Sequence, residues 1–194
     1  MTSSSQVRAI LDANVLYRAA LRDILLQLAK DDLFEAKWTS TIHDEWMAAL
    51  KRNRPDIDGS QIEGLRKKMD AETRDPQVKS YESIIESLYL PEDPNDRHVL
   101  AAAIVGQCPF IVTTNVGHFP TERLEAFGIR ALHPDAFLLA LLVEAPEAFC
   151  AAIRTVRIRL KKPPYNVESY LQNLSRDGLV DTADELRKYP ELLK

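Results

Sequence analysis

Residues 7–16 of the chain read VRAILDANVL, and this stretch decides the fold. The short apolar run before Asp12 is typical of a buried strand. Asn14 is predicted to cap a helix over residues 15–30, because apolar residues recur there at intervals of three and four. The resulting unit is a strand, a polar turn and an amphipathic helix.

Two later apolar runs extend this pattern. Residues 110–112 form a second predicted strand, and residues 129–132 form a last short one. The helix before residue 110 has the clearest start in the chain, since Asp93 is placed as its N-cap and Pro94 occupies the first helical position. Apolar strands that alternate with amphipathic helices predict the α/β class, with a mostly parallel sheet covered on both faces.

The segment after the first helix continues the alternation. A short strand is predicted around Trp38, and Thr41 with Asp44 resembles a capping pair that opens the next helix. Glu45 would then lie in the first turn of that helix. Residues 57–74 are polar enough to predict a surface helix.

The character of the chain changes near residue 145. We expect residues 1–145 to form the α/β domain and residues 146–194 to form a helical extension packed on it. A helix is predicted from Pro146 to about residue 160, where Pro163 and Pro164 interrupt the pattern.

Composition excludes several classes of protein. Cys108 and Cys150 lie in no CxxC or Cys/His cluster, which argues against a disulfide scaffold or a zinc site and favours the cytoplasm. Near the start of the chain, no apolar region follows a basic one, and the longest apolar run is too short to cross a bilayer, so neither secretion nor a membrane span is expected. The net charge of -4 does not indicate a protein that coats nucleic acid, although an enzyme rich in metal-binding acids can also be acidic overall.

Four oxygen-bearing side chains are expected at one edge of the sheet. In a parallel α/β sheet, sites form beyond the carboxyl ends of the strands. Asp12 and Asn115 follow predicted strands, whereas Glu45 and Asp96 lie in the first turns of predicted helices. These side chains are therefore expected to converge at that edge and form an acidic site.

Each of these residues also has a structural explanation. Glu45 and Asp96 could stabilise the positive ends of their helices, and the two asparagines could serve only as turn or cap residues. Asp93 is already explained as an N-cap. Asp12 is the exception, because an acid that closes a buried strand is costly to desolvate unless a positive group meets it.

Three motifs carry a resemblance to PIN domains. Residues 10–16, ILDANVL, are similar to the opening motif of that family, and residues 93–103, DPNDRHVLAAA, resemble its third acidic motif. The run VTTNVGHFP at residues 112–120 resembles the fourth, and Glu45 is positioned like the second. The resemblance extends over residues 7–135 and implies an α/β/α sandwich with a C-terminal helical extension.

The resemblance also implies a division of roles. Asp12 and Asp96 would bind Mg²⁺ or Mn²⁺, Glu45 would complete the acidic pocket, and Asn115 would hydrogen-bond a ligand or a water. The supporting residues would be Asp93, Asn14, Thr113 and His118.

His118 departs from the family pattern. Many PIN domains have an aspartate at this place, so a second metal position would depend on Asp93 supplying the missing charge. His118 could instead contact phosphate or be purely structural. Arg97, Lys51 and Arg52 are candidates for contacts with an RNA backbone, or they are ordinary solvated charges.

The implied function is that of a VapC-type toxin. Such a protein would be a metal-dependent endoribonuclease that hydrolyses RNA through a metal-activated water, pairs with a cognate antitoxin and forms a homodimer. Two alternatives remain open at this stage: an RNA-processing nuclease without an antitoxin, and a non-catalytic PIN-like scaffold that binds RNA or protein.

Overall fold

The computed structural model describes residues 6–161 and 164–194 of the chain. Its strands form one parallel sheet in the order β2-β1-β3-β4. The strands are β1 Arg8–Leu11, β2 Glu35–Lys37, β3 Phe110–Val112 and β4 Arg130–Leu132. Ala9, Ile10 and Leu11 are all fully buried, and successive strand residues point to opposite faces, so both faces of the sheet are covered. The predicted α/β fold is confirmed.

Helices surround this sheet within the described ranges. They are α1 Ala13–Tyr17, α2 Ala19–Lys30, α3 Ser40–Asn53, α4 Gly59–Glu72, α5 Arg97–Val105, α6 Thr121–Leu124, α7 Pro134–Glu144, α8 Pro146–Arg159, α9 Val167–Arg176 and α10 Val180–Leu186. Helix α5 packs against β1 and β3, and α2 packs against β2. The core therefore lies between the sheet and these helices.

The predicted first helix is divided in two. Arg18 has an extended conformation between α1 and α2, with φ -80° and ψ 108°. The buried Arg22 donates a hydrogen bond from Nη1 to the backbone oxygen of Leu16 at 2.7 Å. This bond satisfies a carbonyl that the end of α1 leaves without a helical partner.

The N-cap of this helix also differs from the prediction. Asp12 caps α1, because its Oδ1 accepts a hydrogen bond from the backbone N–H of Ala13 at 2.6 Å. Asn14 lies inside α1, so its prediction as the cap was wrong. Its side chain instead contacts Thr113 and Thr114 across the sheet edge.

Helix α3 begins earlier than the sequence pattern predicts. Thr39 is its N-cap and accepts a hydrogen bond from Ile42 N at 3.1 Å, so the capping pair predicted at Thr41 and Asp44 was wrong. Thr39 is fully buried, which places its hydroxyl where the helix needs an acceptor. As a result, Glu45 lies in the second turn of α3 and not in the first.

The predicted cap at Asp93 is confirmed. Its side chain accepts a hydrogen bond from Asn95 N at 3.0 Å, and Pro94 opens a 3-10 turn over Pro94–Asp96. Helix α5 follows directly, so Asp96 stands at its N-terminal boundary.

The C-terminal helices are fastened to the rest of the fold. Helix α7 packs against α8 and α10. The buried Asp135 carboxylate accepts hydrogen bonds from Asp181 N and Thr182 N, each at 2.9 Å, which binds the start of α10 to α7. Predictions that involve residues 1–5 and Pro163 lie outside the described residues. No helix in the described ranges has the length and apolarity needed to cross a membrane.

Candidate metal centre

The carboxyl ends of β1 and β3 bring the first site residues together. Leu11 pairs with Val112, so Asp12 and Thr113 leave neighbouring strands side by side. The Thr113 hydroxyl donates to Asp12 Oδ2 at 2.7 Å, and Asp12 N donates to the backbone oxygen of Val112 at 3.1 Å. This edge position is the one that the sequence predicts for Asp12.

Asn14 connects the two strand ends. Its Nδ2 lies 2.5 Å from Asp12 Oδ2 and 2.9 Å from Thr113 Oγ1, and its Oδ1 accepts from Thr114 N at 2.9 Å. The side chain thus holds the Asp12 carboxylate in one orientation. These contacts are consistent with the supporting roles predicted for Asn14 and Thr113.

The environment of Asp12 disfavours its negative charge. Burial raises the pKa of this carboxyl from 3.8 to about 6, against the opposing hydrogen bonds from Thr113 and Ala13. The negative charges of Asp96 and Glu45 contribute to this raised pKa, because they repel the ionised Asp12 carboxylate. A cation at this edge would relieve the repulsion.

A second group of side chains that could bind a metal lies beside this edge. Oxygens of Asp93 and Asp96 and a nitrogen of His118 all lie within 4.8 Å of one another. His118 Nδ1 is 2.9 Å from Asp96 Oδ2 and 3.3 Å from Asp93 Oδ2. Burial raises the pKa of Asp96, the hydrogen bond with His118 opposes this, and the charge of Asp93 adds to it. His118 therefore contacts the acidic group directly, and neither Asp12 nor Glu45 belongs to this tighter set.

His98 is a site residue that the sequence analysis did not assign. Its Nε2 lies 3.0 Å from Glu45 Oε1, and its side chain is buried whereas that of Glu45 is 43% exposed. His98 Nδ1 is buried with no hydrogen-bond partner among the described residues. His98, which lies on α5, thus restrains the side chain of Glu45 on α3. The only available signal was its place two residues after Asp96.

Among the described residues, neither Asn115 nor Arg97 has a hydrogen bond or an ion pair with Asp12, Glu45 or Asp96. Asn115 is exposed, and its backbone N–H donates to Thr113 Oγ1 at 3.0 Å. Arg97 donates to the backbone oxygen of Pro94 and lies 3.8 Å from Glu86, so its described contacts are local.

Two further basic residues lie outside the acidic group. Lys51 and Arg52 are exposed in the last turn of α3. Their position leaves them open to solvent at the C-terminal end of the helix that carries Glu45.

The donor set suits a hard divalent cation. Mg²⁺ and Mn²⁺ favour carboxylate oxygens, and an imidazole is also acceptable to Mn²⁺. The strongest sign is the Asp12 carboxylate, which is only 5% exposed and has no cationic side chain among its hydrogen-bond partners within the described chain. The residues present therefore fit a bound metal ion.

Comparisons with known proteins agree with this geometry. The PIN domain family matches residues 8–117, and the VapC50 C-terminal domain family matches residues 134–188. The Mycobacterium tuberculosis protein described as "Putative ribonuclease VapC50" is 41% identical over 95 residues. That alignment covers 49% of this chain and 56% of the relative, so the chain matches about half the length of that protein. No solved structure matches the chain significantly. Because the PIN family match covers more than half of the residues, the chain belongs to the PIN domain family.

Proposed function

We propose that this protein is a metal-dependent endoribonuclease and the toxin component of a type II, VapBC-like toxin–antitoxin system. The observation that carries the proposal is the buried Asp12 carboxylate, oriented by Thr113 and Asn14 and repelled by two further acids. The similarity to a relative described as a ribonuclease supports the class of reaction.

Asp12, Asp96 and Glu45 would hold Mg²⁺ or Mn²⁺, and Asp93 and His118 would complete the acidic centre. A bound divalent cation would supply phosphoryl polarisation, a lowered pKa of the attacking water and stabilisation of the leaving oxygen. Hydrolysis would then proceed without a covalent bond between enzyme and RNA.

The protein's own residues would prepare this centre. Thr113 and Asn14 hold the Asp12 oxygens in place, and His98 restrains Glu45 in the same way. Asn115 would donate to a ligand or a water from the end of β3. Such supporting contacts fix the positions of metal ligands and typically affect metal affinity strongly.

The basic residues would serve the substrate. Lys51 and Arg52 would lie along the RNA backbone, since they are exposed at the end of the helix that carries Glu45. Arg97 is a further candidate, although it would first have to leave its contacts with Pro94 and Glu86.

The remaining expectations follow from the toxin assignment. A cognate antitoxin would restrain the activity, and the protein would form a homodimer. The protein and its antitoxin would both act in the cytoplasm. The division into a nuclease domain at residues 1–145 and an extension at 146–194 also stays a prediction.

One observation favours a second candidate, a non-catalytic PIN-like scaffold. His118 contacts both Asp96 and Asp93, where many PIN domains have an aspartate. A scaffold would show no change in melting temperature or in RNA cleavage when Mn²⁺ is added. An RNA-processing nuclease without an antitoxin would cleave RNA but have no neighbouring antitoxin gene.

The decisive experiment compares wild-type protein with Asp12→Asn and Asp96→Asn on transfer and ribosomal RNAs, with Mn²⁺ and then with chelator. Asp44→Asn is the matched control, because Asp44 is an exposed acid that pairs with Arg66. We expect each site variant to lose more activity than the roughly 10–100-fold cost of losing a supporting residue. Cleavage that resists the chelator, or equal cleavage by wild type and Asp12→Asn, would contradict the proposal.

A further inference from the structure

An open cleft of about 710 Å³ adjoins the candidate metal centre. One wall is formed by α1 and α3, and the opposite wall by the turn between α9 and α10. Its volume lies within the roughly 300–1,000 Å³ that is usual for ligand sites. The cleft is therefore shared between the PIN core and the C-terminal helices, and we call it the junction cleft.

The junction cleft is continuous with the acidic centre. Glu45, Asn14 and Thr114 line it, and the first two of these contact His98 and Asp12, respectively. If the reacting phosphodiester lies at Asp12, the neighbouring nucleotides of the RNA strand need space beside it. The junction cleft offers such space directly beside the reacting bond.

Hydrogen bonds hold the far wall in a defined position. Arg18 Nη1 donates to the backbone oxygen of Asp177 at 3.0 Å, which ties the break between α1 and α2 to the α9–α10 turn. Gly178 adopts φ +89° in that turn, a conformation that side-chain-bearing residues rarely adopt. The buried Asp135 fixes the start of α10, which directly follows this turn. The shape of the cleft is thus fixed by specific contacts within the fold.

The lining has the chemistry of a nucleotide site. Arg18 and Arg176 are exposed, and each guanidinium makes one hydrogen bond to a described residue out of five N–H donors. Tyr17 and Asn53 add an aromatic ring and an amide, joined by a hydrogen bond of 3.1 Å. Arginine suits phosphate, and aromatic rings and amides suit unpaired bases.

The cleft also contains negative charge. Asp177 lies in the wall beside Arg176, and Glu45 lies at the end nearest the metal centre. Because Glu45 is assigned to the proposed metal site, the acid that would oppose a phosphate along the rest of the cleft is Asp177. Its effect should be opposite in sign to that of the two arginines.

We propose that the junction cleft binds single-stranded RNA next to the cleaved bond, with Arg18 and Arg176 contacting its phosphates. The C-terminal helices thereby contribute a substrate-binding residue, Arg176, to the site of the PIN core. This inference rests on the proposed ribonuclease function, because it names the subsite that positions the substrate of that reaction.

The test measures binding of a fluorescent single-stranded RNA to the Asp12→Asn protein, in which cleavage is expected to be minimal, over a range of salt. Adding Arg176→Ala should weaken binding about 3–10-fold and reduce the salt slope by about 0.7, the value for one lost phosphate contact on a single strand. Arg176→Lys should retain the slope. Asp177→Asn should tighten binding.

The control is Arg130→Ala, which removes the same charge at the amino end of β4, away from the carboxyl edge where the cleft lies. It should leave binding unchanged. In the cleaving protein, Arg176→Ala should raise KM with little change in kcat, since the reacting groups are intact.

The outcomes separate the two proposals. Unchanged RNA binding and KM in Arg176→Ala and Arg18→Ala would overturn the cleft proposal, even if wild type cleaves RNA, and would leave a protein partner as the occupant. Binding that depends on Arg176 in a protein that cleaves no RNA would support the cleft and contradict the ribonuclease.

Discussion

The Thr113 hydroxyl donates a hydrogen bond to Asp12 Oδ2 at 2.7 Å, although the two residues are 101 positions apart in the chain. Thr113 is fully buried, and its oxygen also contacts Asn14 Nδ2 at 2.9 Å and Asn115 N at 3.0 Å. One hydroxyl therefore joins the ends of β1 and β3 and orients the acid that we assign to the metal.

We expect Thr113→Val to destabilise the protein by about 1–3 kcal/mol, because it leaves buried polar partners without hydrogen bonds. Activity should fall as well, since Asp12 loses its orientation. Urea unfolding and RNA cleavage provide the measurements. Thr113→Ser keeps the hydroxyl and is the matched control. If Thr113→Ser lost as much stability and activity as Thr113→Val, the loss of the hydroxyl would not explain the effect of the Val substitution.

Asp12 should make the metal-free protein sensitive to pH. Its folded pKa of about 6 lies above the ordinary value of 3.8, so the folded state binds the extra proton, and stability decreases as pH rises through 6. Compared with Asp12→Asn, the wild type should lose on the order of 1 kcal/mol of unfolding free energy between pH 5 and pH 8.

This comparison is made by urea unfolding with chelator present. Taking the difference between the two proteins removes the contributions of other titrating groups. Addition of Mn²⁺ at pH 8 should stabilise wild type more than the variant. A constant difference across the pH range would contradict the raised pKa.

His98 should act through Glu45 and not on RNA itself. His98→Phe keeps a ring in the buried position but removes the contact with Glu45, so Mn²⁺ affinity should fall about 10–100-fold. Calorimetric titration of Mn²⁺ gives this value without reference to cleavage. His98→Gln can restore a donor to Glu45 and should recover part of the affinity. Equal affinities in wild type and His98→Phe would remove the positioning role.

His118→Asp should lower the stability of the metal-free protein and raise its affinity for metal. A third carboxylate beside Asp93 and Asp96 increases repulsion in the metal-free protein, because these ligand atoms lie within 4.8 Å of one another. We therefore expect a lower melting temperature in chelator and a larger upward shift on adding Mn²⁺ than in wild type. His118→Ala, which adds no charge, is the control. A smaller Mn²⁺ shift in His118→Asp than in His118→Ala would indicate that the imidazole itself is a preferred ligand.

Several features could be determined from the sequence alone, because their causes are local. The buried strand before Asp12 follows from a short apolar run, and the cap at Asp93 follows from its place before a proline. The parallel sheet follows from the alternation of such strands with helices. A parallel sheet in turn leads to the expectation that Asp12 and Asp96 lie near one edge.

Tertiary structure alone decided the details that depend on distant partners. The break at Arg18 accompanies a buried guanidinium that reaches the end of α1, and Thr39 caps α3 because burial places its hydroxyl there. The contact between His98 and Glu45 joins residues 53 positions apart, and Arg176 lines the junction cleft because the C-terminal helices pack on the PIN core. Hydrophobic periodicity and caps report a residue's near neighbours in the chain, whereas side-chain contacts between distant segments form only once the core has packed.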